Sequence, residues 1–234
     1  MENIINKIRA DFKANADEEI KKSAQRFFKE GIKTYGMKTA VADTIAKKYW
    51  QEVKDLDKQG IFTLCEELFA SGYQEEFNAP CIWLPKMVEQ FDPGDIQIFE
   101  KWIDKYVDNW AKCDTFCNHT VGDFIMKFPN KINELKKWAK SKNRWMKRAG
   151  AVTLIVPARK GLFLKDIFEI ADILLLDPDD LVQKGYGWML KAASQAHQKE
   201  VLRFVTERKD RMPRTALRYA IEKMPPAMRK IAMS

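Results

Sequence analysis

The sequence predicts an all-α protein, and three observations carry that prediction. Apolar residues recur at three- and four-residue steps, short breaks separate segments of helical length, and no alternating run marks a strand. The clearest stripe is Leu164, Ile167, Phe168, Ala171, Leu174 and Leu175, which predicts a helix over 164–175 with one buried face. Just beyond it, Asp177-Pro178-Asp179-Asp180 reads as a helix start: an acceptor at the cap, Pro178 in the first turn, and acids at the positive end of the dipole. Further breaks fall near Gly31–Gly36, Asp57–Gly60, Ser71–Tyr73, Phe91–Gly94, Phe128–Asn130, Ala158–Gly161, Ala196–Gln198 and Met212–Pro213. The segments between them are mostly about 10–20 residues long, as helices require.

Consecutive helices joined by short breaks become antiparallel neighbours, and two of them make a unit of about 40 residues, the size of a HEAT-type repeat. The expected architecture is a solenoid of HEAT-like antiparallel helical repeats; an irregular helical bundle is the alternative. No Pro/Ser-rich or low-complexity tract divides the chain, so one continuous domain over 1–234 is expected.

The 234 residues carry a net charge of +8, unevenly placed. From Met1 to Asn130 there are 18 Lys and Arg against 22 Asp and Glu; from Lys131 to Ser234 there are 23 against 11, so the basic surplus lies in 131–234. Such asymmetry fits a polyanion, because clustered cations release counterions from phosphates. An anionic membrane, an acidic partner or a merely solvated surface fits the same count. No apolar run approaches the roughly 20 residues of a bilayer span, and MENIINKIRADF lacks an apolar signal core, so a soluble cytoplasmic protein is expected. Cys65, Cys81, Cys113 and Cys117 are too few for a disulfide framework. Cys113, Cys117 and His119 offer three metal donors where closed zinc sites take four. Buried thiols are the expectation, with no metal and no cofactor.

Four segments could carry chemistry. Trp110 and Asp114 stand four residues apart, on one face if 108–115 is helical. An aromatic face beside a carboxylate suits a developing cation, although a core tryptophan and a capping aspartate fit the same residues. Arg144, Lys147 and Arg148 put three cations within five residues, with Arg144 and Arg148 one turn apart and able to grip phosphates. Lys184 and Lys191 flank Trp188, a pattern for a surface tryptophan that meets nucleic acid. Gly185 and Gly187 there would admit the close approach of another backbone. Arg214 and Arg218 align on a helix opened by Pro213; they read as DNA-backbone contacts or as the charged face of a capping helix.

Taken in order, Trp110 and Asp114, Arg148 in Trp-Met-Lys-Arg-Ala, Trp188 in Gly-Trp-Met-Leu, and Arg-Thr-Ala-Leu-Arg-Tyr-Ala-Ile-Glu-Lys at Arg214–Lys223 resemble the AlkD family of DNA alkylation repair proteins. The similarity spans most of the chain and is densest from Trp110 onward. It implies HEAT-like repeats curved around duplex DNA and a monomeric DNA glycosylase that releases N3-alkyladenine and N7-alkylguanine without a base-flipping pocket. Carried over by position, Asp114 is the catalytic carboxylate, Trp110 and Trp188 pack beside the lesion's deoxyribose, and Arg148 holds the nearby backbone. Lys38, Arg144, Lys147, Lys184, Lys191, Arg214 and Arg218 become the DNA contacts. The chain departs from the family at Asp180-Leu181, where aromatic residues are expected, and at 38–43, which lacks the Pro and Arg pattern. A non-catalytic relative that binds bent or branched DNA, or a solenoid with an acidic protein partner, is the rival reading.

Overall fold

The computed structural model describes residues 2–234, and helices are its regular elements; extended backbone pairs only at an isolated bridge between Lys33 and Tyr73. The all-α expectation holds. The chain forms two compact units, Met1–Phe116 and Cys117–Ser234.

The first unit holds α1 (Glu2–Ala14), α2 (Glu18–Phe27), α3 (Thr39–Val53), α4 (Lys58–Ala70), α5 (Gln74–Trp83), a 3-10 turn (Leu84–Gln90), α6 (Asp95–Tyr106) and α7 (Trp110–Phe116). Aspartates set two of the starts: Asp17 accepts from the Glu19 and Ile20 amides, and Asp57 from the Gly60 amide at 2.7 Å. Gly60 therefore lies in the first turn of α4 and not in a break. Alternate helices pack on one another, α1 on α3, α3 on α5 and α5 on α7, while α4 packs on α5 and α6. This two-layered pairing is what stacked helical repeats produce. Between the layers Phe69 meets Phe77 at 4.5 Å, Trp102 at 5.3 Å and Phe116 at 5.6 Å, edge-on or tilted as ring quadrupoles prefer. Each such buried ring contributes about 1.5–3 kcal/mol. By contrast α2 buries none of its residues, and its last residue, Phe27, is 67 % exposed.

Residues 28–38 follow α2 without regular structure and are held by two buried carboxylates at the start of α5. Glu75 accepts from the Thr34 hydroxyl at 2.5 Å and from the Tyr35 and Gly36 amides at 3.1 Å. Glu76 accepts from the Tyr35 hydroxyl at 2.7 Å and from Arg9 Nε at 3.1 Å. Burial, and then the Glu76 carboxylate, hold the Tyr35 phenol above its ordinary pKa, so it stays a donor. Glu75→Gln replaces one acceptor oxygen with an amide that faces N–H groups. The expected result is a loss of about 1–3 kcal/mol and faster hydrogen exchange at the Tyr35 and Gly36 amides. Unchanged protection there would show that Glu75 does not hold the segment.

The second unit begins with a π-helical turn (Cys117–Val121), followed by α8 (Gly122–Lys127), a 3-10 turn (Pro129–Lys131), α9 (Ile132–Trp138), α10 (Arg144–Val152), α11 (Ile155–Arg159), α12 (Leu164–Leu174), α13 (Asp180–Ala193), α14 (Gln198–Arg208), α15 (Arg214–Ile221) and α16 (Pro226–Met233). α10, α13 and α15 pack in succession; α9 packs on α12, and α14 on α16. From α7 to α11 the helices are shorter than expected, 5–9 residues. The π turn, Pro129 and Pro157 interrupt them, and Pro157 lacks the N–H that the Thr153 carbonyl would accept. α12 matches the predicted stripe, though Phe168 is only half-buried and stacks on Phe204 at 4.5 Å.

The predicted start at 177–180 is shifted. The cap of α13 is Asp179, which accepts from the Leu181 amide at 3.0 Å, and Pro178 precedes the cap. Asp177 instead folds a turn over the proline by accepting from the Asp179 amide. Pro213 likewise sits at the cap of α15 with an extended ψ. All four thiols are buried. No helix is long and apolar enough to cross a membrane, and among the described residues no group of three or more metal-ligating side chains gathers.

Candidate active site and nucleic-acid interface

The start of α7 is fixed by a side chain: Asn109 Oδ1 accepts from the Lys112 amide at 3.0 Å, and the Asn109 carbonyl accepts from the Cys113 amide. The cap is therefore Asn109. Asp114 is the fifth residue of the helix, one turn after Trp110 and on its face. Asp114 keeps 8 % exposure where Cys113 has none. Lys112, 1 % exposed, donates to the Gly72 carbonyl at 2.9 Å and to Asp108 at 2.8 Å, and so ties this end of α7 to the end of α4.

Trp110 is half-buried. Phe28 stacks on its ring at 5.3 Å with the planes 13° apart, and Phe27 meets it edge-on at 6.1 Å. The segment clamped by Glu75 and Glu76 thus supplies a wall to the candidate tryptophan. Neither phenylalanine is singled out by the sequence reading. The available signal is an adjacent aromatic pair ending a strongly charged helix, where one apolar face cannot bury both.

In the second unit Asn143 caps α10 by accepting from the Trp145 amide at 2.9 Å. Arg148 follows on the buried side, 5 % exposed, and its guanidinium donates to the Leu181 carbonyl of α13. Its Cγ would lie 3.3 Å from a Cβ on Gly185, so the glycine lets the arginine lie across α13. Trp188, half-buried, stands three residues on and therefore on the same face. The expected close backbone is found at Gly187 and not at Gly185, which faces side chains: a Cβ on Gly187 would come within 2.7 Å of Tyr219 Cβ and 2.9 Å of the Ala216 carbonyl on α15.

The predicted DNA contacts divide into two groups. Arg144 pairs with Asp179 at 2.5 Å, Lys147 with Asp177, Lys184 with Asp180 at 2.6 Å, and Lys191 with Glu222 at 2.9 Å. The hydrogen bond that Lys184 donates to Asp180 raises the ammonium above its usual pKa, so it is charged at neutral pH. Each of these four cations is already seated on a carboxylate within its own unit. Lys38, at the start of α3, and Arg214 and Arg218, one turn apart on α15, are exposed, and no ion pair involves them among the described residues. The structure puts Trp110 and Asp114 on one face of α7, and lays Arg148 of α10 against α13, the helix that carries Trp188.

This is an all-α protein of layered helical pairs, with a carboxylate and an indole sharing one short helix. Its fold is that of a solved structure described as a predicted DNA alkylation repair enzyme from Enterococcus faecalis. The TM-score is 0.81 at 13 % identity, with 91 % of this chain and 98 % of that chain covered. No curated protein matches the sequence. The DNA alkylation repair enzyme family matches residues 8–224, and the chain belongs to that family.

Proposed function

We propose that the protein is an alkylbase DNA glycosylase that hydrolyses the N-glycosidic bond of cationic purines, N3-alkyladenine and N7-alkylguanine, in duplex DNA. It acts as a monomer, leaves an abasic site and uses no base-flipping pocket. The observation that carries the reading is the placement of Trp110 and Asp114 on one face of α7 in a chain of the DNA alkylation repair enzyme family.

Alkylation of a ring nitrogen makes the purine a cation, so it departs as a neutral base with the electron pair of the C1′–N bond. It needs no general acid, and the chemistry calls for no cofactor. Positive charge grows on the deoxyribose instead. The Asp114 carboxylate and the electron-rich faces of Trp110 and Trp188 stabilise that charge. Water adds to C1′ and gives its proton to Asp114 or to solvent. Arg148 holds a backbone phosphate beside the sugar, and Lys38, Arg144, Lys147, Lys184, Lys191, Arg214 and Arg218 contact the flanking backbone.

The test is release of free base from a duplex containing N7-methylguanine. The expected products are free N7-methylguanine and a strand that stays intact until alkali cleaves it at the abasic site. Binding without release would leave a non-catalytic DNA-binding protein; no binding even at low salt would remove DNA as the partner.

A further inference from the structure

The last 24 residues, 211–234, hold six cations and one acid, Glu222, which Lys191 already occupies. Where α15 meets α16 they border an open groove of about 470 Å³. Arg218, Arg229 and Lys230 line it together with Ile221, Pro226 and Met233, and Glu222, held by Lys191, is the one acid in its lining. All three lining cations are exposed, and no ion pair involves them among the described residues. That separates them from Arg144, Lys147, Lys184 and Lys191, each of which would have to give up or share a carboxylate before it could bind phosphate.

The groove adjoins the helix that carries Trp188. α15 packs on α13 at Gly187, Lys191 of α13 reaches Glu222 at 2.9 Å, and the same ammonium lies 5.4 Å over the Tyr219 ring. α16 packs on α14 and α15 and buries Ala232, so its cations are presented from a packed helix. Exposed unpaired cations gain more from a phosphate than paired ones, because no existing ion pair is lost.

We propose that the α15–α16 groove is a second seat for the DNA backbone, in which Arg218, Arg229 and Lys230 hold phosphates flanking the damaged nucleotide. It supplies salt-sensitive affinity independent of the lesion. The proposal rests on the functional reading only in taking DNA as the partner.

The experiment compares wild type, Arg229→Gln/Lys230→Gln and the charge-conserving Arg229→Lys/Lys230→Arg on undamaged duplex over a salt series. Each lost phosphate contact removes about 0.9 from the slope of log affinity against log salt, so the glutamine variant loses about 1.8. Between 50 and 200 mM salt its affinity then falls about tenfold less than that of the wild type. The charge-conserving variant keeps the wild-type slope, as it should if charge and not shape is read. A wild-type slope in the glutamine variant overturns the groove, and so does a lowered slope in the charge-conserving one. Since undamaged duplex is used, missing base release together with a lowered glutamine slope removes the glycosylase and leaves the groove. Base release together with an unchanged slope removes the groove alone.

Discussion

Asp114→Asn is expected to slow release of N7-methylguanine by about a hundred- to a thousandfold in single-turnover assays, with binding of duplex DNA retained. Asparagine keeps the shape of the side chain and one acceptor oxygen, so what is lost is the negative charge. Removing one preorganised group that stabilises transition-state charge costs about 2.7–4 kcal/mol, which is that fold-change. The carboxylate is suited to the part because Asn109 already caps α7, leaving Asp114 in the body of the helix with no capping duty. It also stands one turn from Trp110, whose ring Phe28 fixes by stacking. DNA binding persists because loss of a carboxylate does not weaken attraction for phosphate. Release by the variant within about threefold of wild type, a difference of roughly 0.7 kcal/mol, would remove Asp114 from the chemistry.

The distances along the chain explain which of these features can be read from the sequence. α12 is legible because a stripe of apolar residues at three- and four-residue steps has no other use, and its boundaries agree to within a residue. The shared face of Trp110 and Asp114 follows from helical spacing alone. Gly187 is legible as a point of close backbone approach, whereas at Gly185 it is the Arg148 side chain that comes near. The partners of the cations are not legible: Arg144 and Asp179, or Lys191 and Glu222, are 35 and 31 residues apart and meet only through packing. A count of charges therefore reports a basic half and hides that four of its cations are already neutralised by neighbours. The wall on Trp110 is hidden for the same reason. Phe28 reaches that ring from the other end of the first unit, along a segment held in place by Glu75 and Glu76. The start of α13 is ambiguous for a local reason: Asp177 and Asp179 are both cap candidates in the sequence, and only the turn in which Asp177 accepts from the Asp179 amide sets the cap at Asp179.

The largest expected loss of stability comes from added bulk at Gly187, and alanine there already shows the effect. Gly187→Ala adds one carbon to α13 at a point where it would stand 2.7 Å from Tyr219 Cβ, 2.9 Å from the Ala216 carbonyl and 3.1 Å from Ala216 Cα. Two of these atoms belong to the backbone of α15 and the third is fixed to it, so relief requires the whole helix to shift. Overpacking of this kind costs about 1–3 kcal/mol, against which alanine returns up to about 1 kcal/mol of helix propensity. Gly187→Val removes that return and adds bulk, so its cost exceeds about 3 kcal/mol. Gly185→Ala is the internal comparison. Its nearest obstacles are Arg148 Cγ at 3.3 Å and Nη1 at 3.5 Å, both side-chain atoms and both farther off than the backbone of α15 is from Gly187, so an adjustment of a few tenths of an ångström in one side chain relieves them. Its expected effect on urea or thermal unfolding is within about 1 kcal/mol, because the propensity gain offsets the adjustment. The two glycines lie two residues apart on one helix, so propensity alone predicts the same result for both. Only the approach of α15 predicts that they differ. If Gly187→Ala unfolds no more easily than Gly185→Ala, α15 does not pack against α13 as described, and the positions of Lys191, Glu222 and Arg218 that depend on it fall too.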